Sequence, residues 1–423
     1  MWMHATMDLK AEPFNAADRA MLRNLARRVA EIAALPIQRE REILCTAHND
    51  LKTKQPVVFA FPEGAWTELI PLSSLQGTTP FTRHFETELR RRIYYDDHIR
   101  DDQPIRRELY VPYAGRFTTF GLEMRTTEST SERGSRHFDP IIRTMEDVEK
   151  MEPPRVEIDW DETRRREEIV QEALGDILDV QLQGMWRGNC IPIDVFAMYC
   201  GLDNLFYDML DQPEMIHAAV RLMVDGWIDC VKELERIGAL SLAHTNQFCA
   251  SGGMSYTDDL PQPDFDGEHV RLKDLWGFAT DQIFTDVSPA MHEEFAIEHE
   301  KRFLELFGLN SYGCCEPLHN KIEMLERHLP NLRRLSISPW ADVEQCAEQL
   351  QDRYIYSWKP NPVILAGDRF EPEAVRESIR AFREKTRDCV PEIIMKDTHT
   401  VRHDPRRIPE WVRIAKEVCE ETG

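Results

Sequence analysis

The residues richest in chemistry lie in "LNSYGCCEPLH", 309–319, where Cys314 and Cys315 stand side by side and Glu316 follows. Two adjacent thiols are a poor way to fill a core. They read as metal ligands, as a nucleophile, or as small buried side chains. Soft thiolates favour zinc over magnesium or calcium, and catalytic zinc takes about three protein ligands from Cys, His and carboxylate, with one position open. On that reading Cys314 and Cys315 join His399, with Asp397, Glu316 or His244 as further donors. On the second, one cysteine attacks and His399 activates it. On the third, both are ordinary small hydrophobes. Neighbours on a strand face opposite ways, so Cys314 shares a face with Tyr312 and Glu316, and Cys315 with Gly313. Pro317 ends the strand here, which lets the backbone turn and present both thiols.

Positioning such groups needs a scaffold. The C-terminal half alternates apolar runs with helical patterns. Strand candidates are 56–62, 177–184, 238–245, 309–315, 332–339, 354–360 and 392–399. Helices are expected at 288–308, 319–329, 343–350, 371–386 and 405–421; Ser288 can cap the first, Pro289 fits its first position and Gly308 ends it. Repeated β–α units imply a parallel sheet with right-handed crossovers. The reading is an α/β fold, a (β/α)8 TIM-like barrel with one strand not located, and a doubly wound open sheet as runner-up. Residues 1–54 form an N-terminal helical extension. Residues 55–423 form the single barrel, interrupted at about 65–175 by a charged helical run, a hairpin at 109–129 and turn-rich sequence.

Barrel chemistry sits at the C-terminal ends of the strands. There the sequence puts Glu63, His244, Asn246, Cys314 to Glu316, Ser338, Trp340, Lys359, Asn361, Lys396, Asp397 and His399. Trp186 and Arg187 follow the 177–184 run and can bind an anion, although a solvated arginine fits equally well. The Gly252–Gly253 pair allows a close approach of backbone to a ligand, or a plain loop turn.

Composition narrows the partners. Lysine plus arginine number 52 against 75 acidic residues, a net charge of −23, which disfavours nucleic acid and anionic membranes. No apolar run approaches the roughly 18–20 residues a span needs, and no targeting segment opens the chain, so a cytoplasmic protein is expected. Its ten scattered cysteines are then reduced.

The order of strand ends resembles the uroporphyrinogen decarboxylase superfamily, which includes corrinoid-dependent methyltransferases. "QPVVFAFPEGAW", "TMEDVEKMEPP", "GALSLAHTNQFCASGG", "YIYSWKPNPVIL" and "KDTHTVRHDPRRIPEWVRIAKE" carry the likeness, from about residue 55 to the C-terminus. Glu63, Gly64 and Ala65 replace the arginine turn that grips porphyrinogen carboxylates, and Glu108 is the nearest carboxylate to the pyrrole-binding position. That argues against tetrapyrrole decarboxylation. The methyltransferase branch binds zinc with His-x-Cys at the strand matching YGCCE and a cysteine at the last strand. Here a thiolate and His399 remain of that set.

The resemblance implies a zinc-dependent methyltransferase moving a methyl group between a small methylated O, S or N compound and a corrinoid carried by a separate protein. Cys314, Cys315 and His399 would bind metal. Glu316, Asp397 and His399 would be catalytic. Glu63, Trp186, Arg187, His244, Asn246, Trp340, Lys359, Asn361 and Arg402 would bind substrate. Barrels of this superfamily are often homodimers. The alternative is a metal-independent decarboxylase or lyase of a small acid, with Arg187 or Arg402 on the carboxylate and His399 or Asp397 moving the proton.

Overall fold

The computed structural model describes residues 9–127, 137–243 and 247–422. Its central sheet has seven strands: β1 (Val57–Ala60), β2 (Arg187–Cys190), β3 (Trp276–Ala279), β4 (Leu309–Tyr312), β5 (Leu332–Ile337), β6 (Ile355–Trp358) and β7 (Val390–Met395). Their spatial order is β1-β7-β6-β5-β4-β3-β2. Every neighbouring pair is parallel. From β2 to β7 each strand lies beside its successor, and β1 returns to lie beside β7. A doubly wound sheet reverses direction between two halves, and this order never does. That order is compatible with a TIM-like barrel left open between β1 and β2.

Among the described residues no ladder closes the seam between β1 and β2, so the sheet has seven strands rather than the eight expected. Two carboxylates stand in for the missing neighbour of β1. Asp102 accepts from the Val58 N–H at 2.8 Å and Asp101 from the Ala60 N–H at 3.0 Å. The Asp102 N–H donates to the Val58 carbonyl at 3.0 Å. An edge strand is thereby covered.

Five of the seven expected strands enter the sheet. The 177–184 run does form a strand, Asp179–Gln183, but it pairs in parallel with Glu108–Pro112 in a separate ribbon. Glu108–Pro112 is therefore not a hairpin arm. The expected hairpin is split: Gly115–Phe117 pairs with Val156–Ile158, and Arg125–Thr127 with His137–Asp139. Within 238–245 the described residues contribute one bridge, Leu240 to Met185. β2 and β3 fill the sheet in their place.

The strands are apolar on both faces because both are covered. Val57, Phe59 and Ile394 face an inner core with Met254 and Tyr256. Val58, Ala60, Ile393 and Met395 face an outer core with Trp411 and Val412 of the Arg407–Glu421 helix. The inner core is filled by the chain around 248–256. A Cβ on Gly253 would come within 2.5 Å of the Arg334 guanidinium, and one on Gly252 (φ +100°) within 2.9 Å of Ile394. The glycine pair serves that close approach to the sheet. No helix among the described residues is long and apolar enough to cross a membrane.

Candidate active site

β4 ends at Tyr312, and Gly313 turns the chain with a φ of +93°. Cys314 and Cys315 follow on that turn, which Glu316 holds. Its buried carboxylate accepts from the Thr280 hydroxyl at 2.7 Å, the Asp281 N–H at 3.3 Å and the Cys314 N–H at 3.0 Å. Burial and the nearby Asp281 charge raise its pKa, and the bonds from Thr280 and the Cys314 N–H oppose the rise. A carboxylate so fully engaged positions the thiols.

The two Sγ atoms are 3.7 Å apart, and Cys314 Sγ is 3.0 Å from the Ser251 hydroxyl. The Cys314 thiol is held below its ordinary range. The hydrogen bond from Cys315 is the main cause; burial and Glu316 oppose it, while Lys396 and Ser251 assist. Cys315 moves the other way, far up, because of its bond to Cys314 and its burial. Of the two, Cys314 is therefore the thiol that loses its proton more readily.

Lys396 closes β7. Its Nζ lies 3.1 Å from Glu63 and 3.3 Å from Asp397. Burial disfavours this ammonium, but Cys314, Glu63 and Asp397 outweigh it and raise the pKa. Glu63 (φ +44°) and Asp397 (φ +56°) both occupy left-handed backbone, the kind of local strain that surrounding structure must enforce.

His399 is exposed and lies against Gly64, where a Cβ would stand 3.1 Å from its Nδ1. It does not form with the two cysteines a trio whose donor atoms all lie within 4.8 Å. Among the described residues Glu293, Glu298 and His328 do so, on the outer helices.

The other expected residues scatter. Trp186 Nε1 donates to the Phe248 carbonyl at 3.2 Å. Arg187 Nη1 donates to the Phe248 and Ala250 carbonyls, each at 3.2 Å. Lys359 is buried; its Nζ donates to the hydroxyls of Ser336 and, at 3.1 Å, Ser357. Asn361 accepts from the Val363 N–H at 3.0 Å, just ahead of a short helix. Trp340 is 68 % exposed. Arg402 pairs with Asp368 at the surface. His244 and Asn246 lie outside the described residues.

A cavity of about 550 Å³ opens at this group, with Glu63, Arg187, Ala250, Gly252 and Lys396 in its wall. Ser251, between Ala250 and Gly252, touches Cys314, so the thiols stand directly behind the wall. The opposite side comes from the insertion and includes Trp66, Arg91 and Tyr95. A cavity of about 1110 Å³ elsewhere meets none of the strand-end groups.

Sequence reasoning missed Ser251, Trp66 and Arg91, and also a buried cluster behind β4. There Tyr312 donates to Asp281 Oδ2 at 2.8 Å, and His292 Nε2 lies 3.0 Å from the same oxygen. Asp281 also meets Glu316 through its N–H, which ties the cluster to the turn bearing the thiols. The one sequence signal was His292 inside the expected 288–308 helix.

Fold and site together define an α/β protein with a seven-stranded parallel sheet, compatible with a TIM-like barrel, and a thiol pair beside a pocket at the carboxyl ends of its strands. No protein-family model matches the chain, and no curated protein matches it. Among solved structures, a methyltransferase from Methanosarcina mazei is similar in fold. The TM-score is 0.50 over 89 % of this chain and 96 % of that one, at 11 % identity. At that identity the likeness is one of fold.

Proposed function

We propose that the chain is a methyltransferase that moves a methyl group between a small methylated compound and a corrinoid carried by a separate protein, with Cys314 and Cys315 as ligands to zinc. The observation that carries the reading is the spacing of the thiols. Two thiolates on one tetrahedral zinc, each at about 2.3 Å, stand about 3.8 Å apart; here the sulfurs are 3.7 Å apart. His399 or Asp397, from the segment after β7, would complete the set. Zinc held there would supply Lewis acidity.

The chain's own residues account for the rest. Lys396 stabilises negative charge at Cys314. The Ser251 hydroxyl orients the same sulfur. Glu316 fixes the turn so that both thiols point to one side. The fold likeness to a methyltransferase and the resemblance to the uroporphyrinogen decarboxylase superfamily support the same reading.

Metal analysis of the purified chain tests it. One zinc per chain is expected, with loss in Cys314→Ala and Cys315→Ala together with loss of methyl transfer. A metal-free chain whose activity survives both substitutions ends the proposal. The second reading, decarboxylation of a small acid, is favoured by one feature, the presence of Arg187 in the cavity wall. Carbon dioxide release by metal-free protein would select it.

A further inference from the structure

The cavity beside the thiols is charged against the grain of the molecule. Arg91, Arg92, Arg187 and Lys396 line it, against Glu63 and Glu88. Four cations less two anions leave +2, in a chain whose total is −23.

The internal pairings do not cancel that excess. Glu88 is taken by Arg92, with Nε at 2.8 Å. Glu63 is taken by Lys396 at 3.1 Å. Two guanidinium groups are left. Arg187 meets only neutral carbonyls, those of Phe248 and Ala250. Arg91 lies over the Trp66 ring, 5.2 Å from its centroid, and its buried Nε has no hydrogen-bond partner. Neither group has a carboxylate within ion-pair distance among the described residues. Withdrawing a cation from water without an anion is unfavourable, and two such cations in one cavity also repel each other. A bound anion relieves both costs.

The remaining walls describe its body. Trp66 and Tyr95 meet edge to face at 5.8 Å, and Phe61 and Phe248 at 4.5 Å. These faces suit a flat apolar group, which inorganic phosphate lacks. A guanidinium fork matches the two oxygens of a carboxylate.

We infer that this cavity binds a small aromatic carboxylate, its charged head drawn to Arg91 and Arg187 and its ring held by the aromatic walls near Cys314. The inference deepens the methyl-transfer reading by naming the substrate class, and it rests on that reading only for the reaction that follows binding.

The test is equilibrium binding to the full chain, followed by calorimetry, with benzoate, its neutral analogue benzamide and inorganic phosphate. Benzoate is expected to bind at millimolar concentration or below, and benzamide at least about ten-fold more weakly, the scale of one lost charge-assisted contact. Phosphate should not displace benzoate. Arg91→Gln removes no hydrogen bond or ion pair and one cation–π contact with Trp66, so the variant should fold with a melting temperature lowered by no more than a few degrees and lose the preference for benzoate. Cys314→Ala should keep it, which separates this site from the metal proposal. Absence of benzoate binding, equal binding of benzamide, displacement by phosphate, or an unchanged preference in Arg91→Gln overturns the inference.

Discussion

Two lysines on neighbouring strands titrate in opposite directions, and their partners explain why. Lys396 sits among anions and is held above its ordinary value against its own burial. Lys359 is 4 % exposed, and burial brings it down to about 8 from 10.5. Its contacts are neutral hydroxyls and a carbonyl. The sequence placed both at strand ends but could not show which of them found an anion. The consequence for stability follows from linkage. Between pH 8 and 10.5 the unfolded chain binds the proton that folded Lys359 gives up, so the contribution of this lysine to stability rises with pH across that window. Below pH 8 the full cost, about 3 kcal/mol, is present. Lys359→Met is therefore expected to shift the slope of urea-unfolding free energy against pH downward between pH 8 and 10 and to leave stability at pH 7 equal or higher. An undiminished slope in the variant would assign that pH dependence to another group.

At the scale of elements, the strands that sequence located are those with long apolar runs, such as "EIIM" in β7 and "IYSW" in β6. Both faces of these strands are buried, and continuous hydrophobicity reports that directly. β2 reads "RGNC" and β3 "WGFA"; each is short and contains glycine, so neither stood out. Gly188 and Gly277 are there because Phe307 packs against both, within 3.0 Å of where a Cβ would stand. That reason is tertiary and leaves no local trace. The seam is equally hidden, since nothing in "IRDDQP" says that two carboxylates will replace a strand. Asp102→Ala removes the acceptor for Val58 and the partner of Lys416, which lies 2.6 Å away. The variant is expected to lose about 1–3 kcal/mol in urea unfolding. Asp102→Asn, which keeps an acceptor, should lose less. Equal losses in the two variants would mean that the edge of β1 gains nothing from the hydrogen bond.

Across the whole molecule, the cavity and the thiols occupy the carboxyl ends of the strands, while the opposite end is fastened by the N-terminal helices. The candidate site was half legible for this reason. Cys314, Cys315 and Glu63 follow strands that sequence could place, whereas Arg187 opens β2, which it could not. Arg91 comes from a charged helix whose orientation depends on packing of Phe81, Phe85 and Leu89 against Leu22, Ala26 and Val29. No pattern in "ELRRRIYY" singles out the arginine that faces inward. The fastening at the other end centres on Asn49. It donates to the carbonyls of Met254 at 2.9 Å and Tyr256 at 2.6 Å, and accepts from Arg334 at 2.7 Å. Arg334 is in turn paired with Glu392 at 2.9 Å, with both side chains fully buried. Removing one member of such a network leaves the others unsatisfied in a medium that cannot solvate them. Asn49→Ala is expected to lose at least about 2 kcal/mol in urea unfolding. Arg334 also donates to Cys249 Sγ at 2.7 Å, between the wall residues Phe248 and Ala250, so the network reaches the cavity wall and Asn49→Ala is expected to weaken benzoate binding as well as stability. A variant that lost stability but bound benzoate as the unmodified chain does would show that residues 248–254 hold the cavity wall without the Asn49 network.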